Sequence, residues 1–239
     1  MDFKEFKEYL NIKLKENNIN EEINEEQFFK YMKNIIEWNE KINLTAITDD
    51  EGIAVKHFLD CLLVSKAAQF KNGNRVIDVG TGAGFPGLVI AAAYPEVDVT
   101  LLDSTGKKLK AVEDIAQKMG VKNVTIVHMR AEDAGKKPEF REQYDFATAR
   151  PVAELRVLLE YTLPFVKVGG KFLSLKGASA IDEIDGARVS LKTLGGKIDG
   201  INEFTLPGGD KRAIINVKKI SHIPSKFPRV SAQIAKKPL

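Results

Sequence analysis

One stretch constrains this chain more than any other: Arg75-Val76-Ile77-Asp78-Val79 followed at once by Gly80-Thr81-Gly82-Ala83-Gly84-Phe85-Pro86-Gly87. A short apolar run carrying one acid meets four glycines in the next eight positions. A strand that turns immediately into a helix needs positive φ angles and a backbone that another group can approach without meeting a Cβ. Glycine supplies both. The small-residue run Leu88–Tyr94 then reads as the helix, with unpaired N–H groups in its first turn. Strand, glycine turn and helix in that order begin a βα unit of a parallel sheet, not a hairpin or a bundle.

The chain downstream repeats the alternation. Val97–Leu102, Val124–His128, Asp145–Ala149 and Lys171–Leu175 read as strands. Between them, Lys107–Met119 places Leu109, Val112, Ile115, Ala116 and Met119 on one helical face and stops at Gly120, and Pro151–Val166 reads as largely helical. The last two strands, Gly196–Leu206 and Arg212–Lys218, are joined only by Pro207-Gly208-Gly209-Asp210, so they form a hairpin. The expected fold is α/β: a Rossmann-like class I S-adenosylmethionine (SAM)-dependent methyltransferase. Its sheet is mostly parallel and seven-stranded, ending in an antiparallel hairpin, whereas a dinucleotide-binding domain would continue in βαβ units. Residues 1–70 read as an N-terminal helical extension. Asn24 and Gln27 have capping-box spacing, Ile23 and Phe28 the spacing of a hydrophobic staple, and two apolar stripes follow, through Phe28–Ile36 and Val55–Leu63. Residues 71–239 then form the SAM-binding domain with a basic C-terminal end.

Charge divides the chain unevenly. The net charge is +3, yet the last 29 residues carry eight Lys/Arg and no acid, while residues 1–210 carry 28 Lys/Arg against 33 acids. A basic terminus on an acidic body suits a polyanionic partner, or a solvated tail. Cys61 is the sole cysteine, which excludes an internal disulfide and any multi-cysteine site, and the three histidines have no metal-ligand spacing, so no metal is expected. The longest uncharged run, Val79–Pro95, holds four glycines and two prolines, and the charged N-terminus is unlike a secretory signal. The expectation is a cytoplasmic protein with no membrane partner.

Two cofactors could use the glycine turn. Gly82-x-Gly84-x-x-Gly87 fits a nucleotide pyrophosphate, and Asp78-x-Gly80-x-Gly82-x-Gly84 fits SAM. The Asp78 carboxylate favours the ammonium end of methionine and repels a pyrophosphate. Asp103, 23 residues after Gly80, stands where an acid takes ribose hydroxyls, in SAM and NAD enzymes alike, or caps the next helix. Ala131-Glu132-Asp133 follows the third strand, where SAM enzymes contact adenine, although a solvated acidic turn would look the same.

Several blocks occur in order: WNEKINLTAI (Trp38–Ile47), HFLDCL (His57–Leu62), DVGTGAGFPGL (Asp78–Leu88), RAED (Arg130–Asp133), ATARPV (Ala147–Val152), LKG (Leu175–Gly177) and FPR…KKPL (Phe227–Leu239). Together they resemble the glucose-inhibited division protein B family, bacterial guanine-N7 methyltransferases of the small-subunit ribosomal RNA. The resemblance implies SAM contacts at Gly80, Phe85, Ala131, Glu132 and Arg150. It also implies 16S rRNA, or a small-subunit assembly containing it, as partner, and N7 of a guanine in the decoding-region loop as acceptor. Cys61 stands where the family pattern has Ser, and Pro151 where it often has Ala.

The residues narrow the acceptor independently. Carbon-5 methylation of pyrimidines needs a cysteine nucleophile, and Cys61 lies in an apolar stripe upstream of the first strand. Exocyclic-amine enzymes carry Asn/Asp-Pro-Pro-aromatic where this chain has Thr148-Ala149-Arg150-Pro151. A ribose 2′-O set would use Lys176 but lacks its aspartate. Guanine N7 has an exposed lone pair and loses no proton, so alignment suffices and no general base is needed. Arg150 and Lys176, at the ends of the fourth and fifth strands, could face the acceptor or be spent on salt bridges. His57 could face it or be a structural histidine. Phe227 and Arg229 are expected to stack on an exposed base, which makes the basic end an RNA footprint. A SAM enzyme with another RNA site or a small-molecule acceptor, and a non-enzymatic nucleotide-binding protein, are the competing readings.

Overall fold

The computed structural model describes residues 1–150 and 153–239; Pro151 and Val152, the expected start of the helical Pro151–Val166 segment, lie outside the described residues. Seven strands form one sheet: β1 (Arg75–Val79), β2 (Asp98–Asp103), β3 (Val124–His128), β4 (Tyr144–Ala149), β5 (Val166–Lys176), β6 (Gly196–Thr205) and β7 (Lys211–Lys219). Their order is β3-β2-β1-β4-β5-β7-β6. The first five strands pair in parallel, and β7 runs antiparallel to both β5 and β6. This is the class I methyltransferase arrangement that the hairpin implied.

The central strands are apolar on both faces because both are covered. Val76, Val99 and Leu101 point into one core, and Ile77, Val79, Leu102 and Ala147 into the other. The first core also takes Phe6 and Leu10 of α1 (Phe3–Glu16), and Phe28, Tyr31, Met32 and Ile35 of α2 (Glu25–Asn39). The side chain of Asn24 caps α2, accepting from the N–H groups of Glu26 and Gln27 at 3.1 and 3.3 Å. Trp38 at the far end donates its indole N–H to Asp114 at 2.7 Å, which ties α2 to α6 (Gly106–Met119). Gly120 ends α6 with φ +75°, the left-handed stop that its position implied.

The apolar stripe Val55–Leu63 is not one regular helix. α3 (Asp50–Ile53) passes into a π-helical segment, Ala54–Leu59, and then into α4 (Asp60–Leu62). The wider turn changes which residues share a face, and such turns recur at functional sites. Two short helices after β5, α9 (Glu183–Gly186) and α10 (Arg188–Thr193), and the terminal α11 (Ser231–Lys236) are additions the periodicity does not indicate. The other helices, α5 (Gly87–Ala93), α7 (Ala131–Ala134) and α8 (Leu155–Thr162), follow β1, β3 and β4. No helix among the described residues is long and apolar enough to cross a membrane.

Candidate functional site

The carboxyl ends of the parallel strands open onto two neighbouring cavities. In the glycine turn, Gly80 takes φ +76°, and nothing lies within 4 Å of where a Cβ would stand. Gly82 is nearly as open, its Cβ reaching only Gly80 O at 4.0 Å, whereas Gly84 and Gly87 serve the protein's own packing. A Cβ on Gly84 would meet the Tyr31 hydroxyl, and one on Gly87 would stand 2.7 Å from Asp78 Cβ. Tyr31 in turn donates its hydroxyl to Ala83 O at 2.9 Å, so α2 of the N-terminal extension braces the turn.

The first cavity, about 330 Å³, lies over β1, β2 and β3. Gly80, Asp103, Ala131 and Glu132 all line it, together with Met129 and Ser231. Asp103 accepts the Gly82 N–H (2.9 Å) and the Thr105 N–H (2.7 Å), which holds the turn against β2. The cap of α6 falls at Thr105, so Asp103 is not the N-cap its position allowed, and each of its oxygens keeps a lone pair for a contact to ribose. Glu132 is 5% exposed, an acid held in a pocket wall and not on a solvated turn. The volume lies in the range of small-molecule sites. An open glycine cradle, an acid at the end of β2 and a buried acid after β3 fit SAM. Among the described residues no group of three or more His, Cys, Asp or Glu is arranged to hold a metal.

Asp78 sits beneath the cavity with no exposure. Its Oδ2 accepts the Gly87 N–H at 2.9 Å and its Oδ1 the Thr148 hydroxyl at 3.2 Å, so it pins the start of α5 to β1. Burial pushes its pKa up to about 6, against these hydrogen bonds and the nearby Arg150 charge.

Phe85 and Arg150 stand outside the first cavity and belong to a second cluster. The Arg150 guanidinium lies 4.9 Å from the Phe85 ring centre, and Phe85 stacks on His57 at 4.3 Å and on Tyr31 at 5.2 Å. Arg150 donates to Asp60 Oδ2 (3.2 Å), Lys56 O (3.1 Å) and His57 Nδ1 (3.1 Å). His57 Nδ1 lies 3.1 Å from both the Arg150 guanidinium and Lys56 O, and Nε2 faces the Thr45 hydroxyl at 2.8 Å, so both ring nitrogens are engaged within the protein. Burial, helped by the Arg150 charge, lowers the His57 pKa to about 3 and keeps the ring neutral. His57 is therefore a structural residue that positions Arg150, and Arg150 is not a surface salt bridge.

The second cavity, about 300 Å³, opens beside this cluster at the ends of β4 and β5 and the start of β7. Arg150, His57, Asp60, Lys176, Phe204 and Arg212 face it. Lys176 is buried and pairs with Glu183 at 2.8 Å, so its charge is already balanced. Cys61 is fully buried, which pushes its thiol pKa well above the usual range, and no nucleophile is available there.

The basic C-terminal stretch departs from its expected role. Phe227 is 4% exposed and sits in the second core. Arg229 forms a bidentate pair with the fully buried Glu160, Nε to Oε1 at 2.8 Å and Nη2 to Oε2 at 2.6 Å. Neither side chain can stack on a base, because a buried carboxylate needed a partner and a core position needed an aromatic. The segment straps α8, and Ser231 closes one wall of the first cavity. Lys211, Lys218, Lys226, Lys236 and Lys237 stay exposed. Sequence reasoning missed Asp60 and Arg212. The available signal was an acid inside an apolar helical stripe, three residues after His57.

Comparison with known proteins places the chain in a family. A family model described as GidB, rRNA small subunit methyltransferase G, matches residues 24–215. The ribosomal RNA small subunit methyltransferase G of Clostridium perfringens (strain 13 / Type A) is 48% identical over 222 residues, 91% of this chain and 93% of that protein. The protein of the same name from Acetivibrio thermocellus is 47% identical, over 90% of this chain and 88% of its own length. Among solved structures, a 16S rRNA (adenine(1408)-N(1))-methyltransferase from Catenulisporales acidiphilia superposes with a TM-score of 0.52 at 16% identity. That match covers 63% of this chain and 89% of the other, and it speaks to the fold alone.

Proposed function

The chain belongs to the rRNA small subunit methyltransferase G family, and on that premise we propose that it transfers a methyl group from SAM to N7 of a guanine in the decoding-region loop of 16S rRNA. The observation that carries this reading is the pair of adjoining cavities, one fitted to SAM and one lined by Arg150, His57, Phe204 and Arg212. Gly80 and Ala131 give the cofactor close backbone approach, Asp103 takes the ribose hydroxyls, and Glu132 stands beside the adenine. Asp78 holds the turn in shape and sets a negative field beneath the methionine end. Phe85 and Arg150 pack together beside the second cavity, which Arg150 lines.

When bound, SAM supplies an electrophilic sulfonium methyl group for in-line displacement. The chain's task at that point is alignment. N7 has no proton to lose, and the site offers no group suited to take one: His57 is committed to Arg150 and Thr45, and Lys176 to Glu183. The acceptor enters as a splayed-out base, as sequence-selective RNA enzymes require. The substrate is 16S rRNA or a small-subunit assembly containing it, met by exposed lysines and not by Phe227 or Arg229. A SAM enzyme with a small-molecule acceptor would leave those lysines without a use. The test is to methylate 16S rRNA lacking the modification with purified protein and SAM, then digest to nucleosides. 7-Methylguanosine at one site is expected; any other methylated nucleoside would reject the N7 assignment.

A further inference from the structure

Asp60 is an unusual residue to find in the core of a helical extension. Its side chain is 8% exposed, it lies between Leu59 and Cys61, which are fully buried, and yet it faces the second cavity. Two arginines converge on it from different parts of the sheet. Arg150, at the end of β4, reaches Oδ2 at 3.2 Å, and Arg212, at the start of β7, reaches Oδ1 at 3.3 Å. One oxygen serves each guanidinium. Arg212 is otherwise lightly held: its Nη1 donates to its neighbour's Lys211 O at 3.0 Å, and Asp210 lies 3.9 Å away. Arg150 by contrast keeps Lys56 O, His57 and the Phe85 face without Asp60.

We propose that Asp60 is a positioning residue for methyl transfer, holding Arg150 and Arg212 fixed at the wall of the acceptor cavity and cancelling one of their two charges. This rests on the N7 reading, because that acceptor gives the charge balance its meaning. N7 attacks the methyl carbon, the carbon–sulfur bond breaks with its electron pair left on sulfur, and the positive charge passes from sulfonium to purine. No proton moves. Two uncompensated guanidinium groups facing the cavity would oppose charge arriving on the base. The Asp60 carboxylate cancels one of them and fixes where both point. His57 and Asp60 are three residues apart on one helical segment, so both reach the same arginine from one face.

The test compares wild type, Asp60→Asn, Arg212→Gln and the double variant on small subunits lacking the modification, with calorimetry for SAM. Asp60→Asn keeps the shape and the hydrogen-bond acceptor on one side. It is expected to leave SAM affinity within about threefold, because Asp60 is absent from the first cavity, and to lower kcat by about tenfold or more. Arg212→Gln is expected to raise KM for the subunit by several-fold. In the Asp60→Asn background that effect should largely disappear, since Arg212 has already lost its anchor. Additive effects, or an Asp60→Asn enzyme with wild-type kcat, would overturn the proposal. If Asp60→Asn does not fold, Asp60→Glu carries the same reading: restored charge with displaced arginines must cost kcat more than SAM affinity, and equal losses in both overturn it. Should wild type itself make no 7-methylguanosine, the N7 reading fails, and that result is distinct from a failure at Asp60.

Discussion

Alanine at Gly80 puts a methyl group where the cofactor reading needs bare backbone, and the structure supplies its own control. Gly80 and Gly120 have nearly the same φ, +76° and +75°, and neither would place a Cβ within 4 Å of another atom. Left-handed backbone costs an L residue about 1–2 kcal/mol. Part of this is offset by the lower entropy of the unfolded alanine chain, about 0.4–1 kcal/mol. Both variants are therefore expected to lose about 1 kcal/mol in urea unfolding. They should part company in ligand binding. The Gly80 methyl enters the first cavity, whereas Gly120 closes α6 away from it. Calorimetry should show Gly80→Ala binding SAM at least about tenfold more weakly, a loss of about 1.4 kcal/mol, with Gly120→Ala unchanged. Equal SAM affinity in the two variants would refute the cradle. Gly87→Ala is a different case, since its Cβ would press on Asp78 and Leu101, and it should fail to fold.

Three further outcomes follow from buried charge and surface charge. Asp78 holds protons more tightly folded (about 6) than unfolded (3.8), so its contribution to stability falls as pH rises through 4 to 6. Asp78→Asn should therefore gain up to about 3 kcal/mol over wild type above pH 7, and nothing below pH 4, in paired urea titrations; a pH-independent difference would contradict this. Arg229→Met leaves the fully buried Glu160 carboxylate without its counter-charge, held only by the backbone N–H of residue 229, and should cost about 3 kcal/mol, a loss under about 1 kcal/mol being inconsistent with the pair described. Replacing the exposed Lys226, Lys236 and Lys237 with Gln should leave stability unchanged and reduce the slope of log affinity for the rRNA against log salt by up to about three. An unchanged slope would remove the C-terminal lysines from the RNA contact.

The sheet was legible because its signals are local. Arg75–Val79 and Val124–His128 carry their strand pattern within five residues, and Gly120 marks its helix end through a backbone angle that few other residues adopt. The hairpin at Pro207–Asp210 fixed the sense of the last strands for the same reason. The first cavity was legible too, since Gly80, Asp103, Ala131 and Glu132 all sit at strand ends, which a parallel sheet brings to one edge. What stayed hidden depends on pairs far apart in sequence. Glu160 claims Arg229 across 69 residues, so a basic tail that reads as a nucleic-acid footprint becomes partly a strap. Asp60 meets Arg150 across 90 residues and Arg212 from the start of β7, partners that no local pattern announces. Phe85 and Arg150, for which the resemblance implied contacts to SAM, pack on each other outside the first cavity.

The central claim is that this site delivers a methyl group to guanine N7. Its most direct measurement is mass-spectrometric mapping of nucleosides in 16S rRNA treated with the purified protein and isotopically labelled SAM. Label in 7-methylguanosine at one nucleotide of the decoding-region loop, lost with Gly80→Ala, is the predicted result. Label in any other nucleoside, or in 7-methylguanosine made equally well by Gly80→Ala, would contradict it.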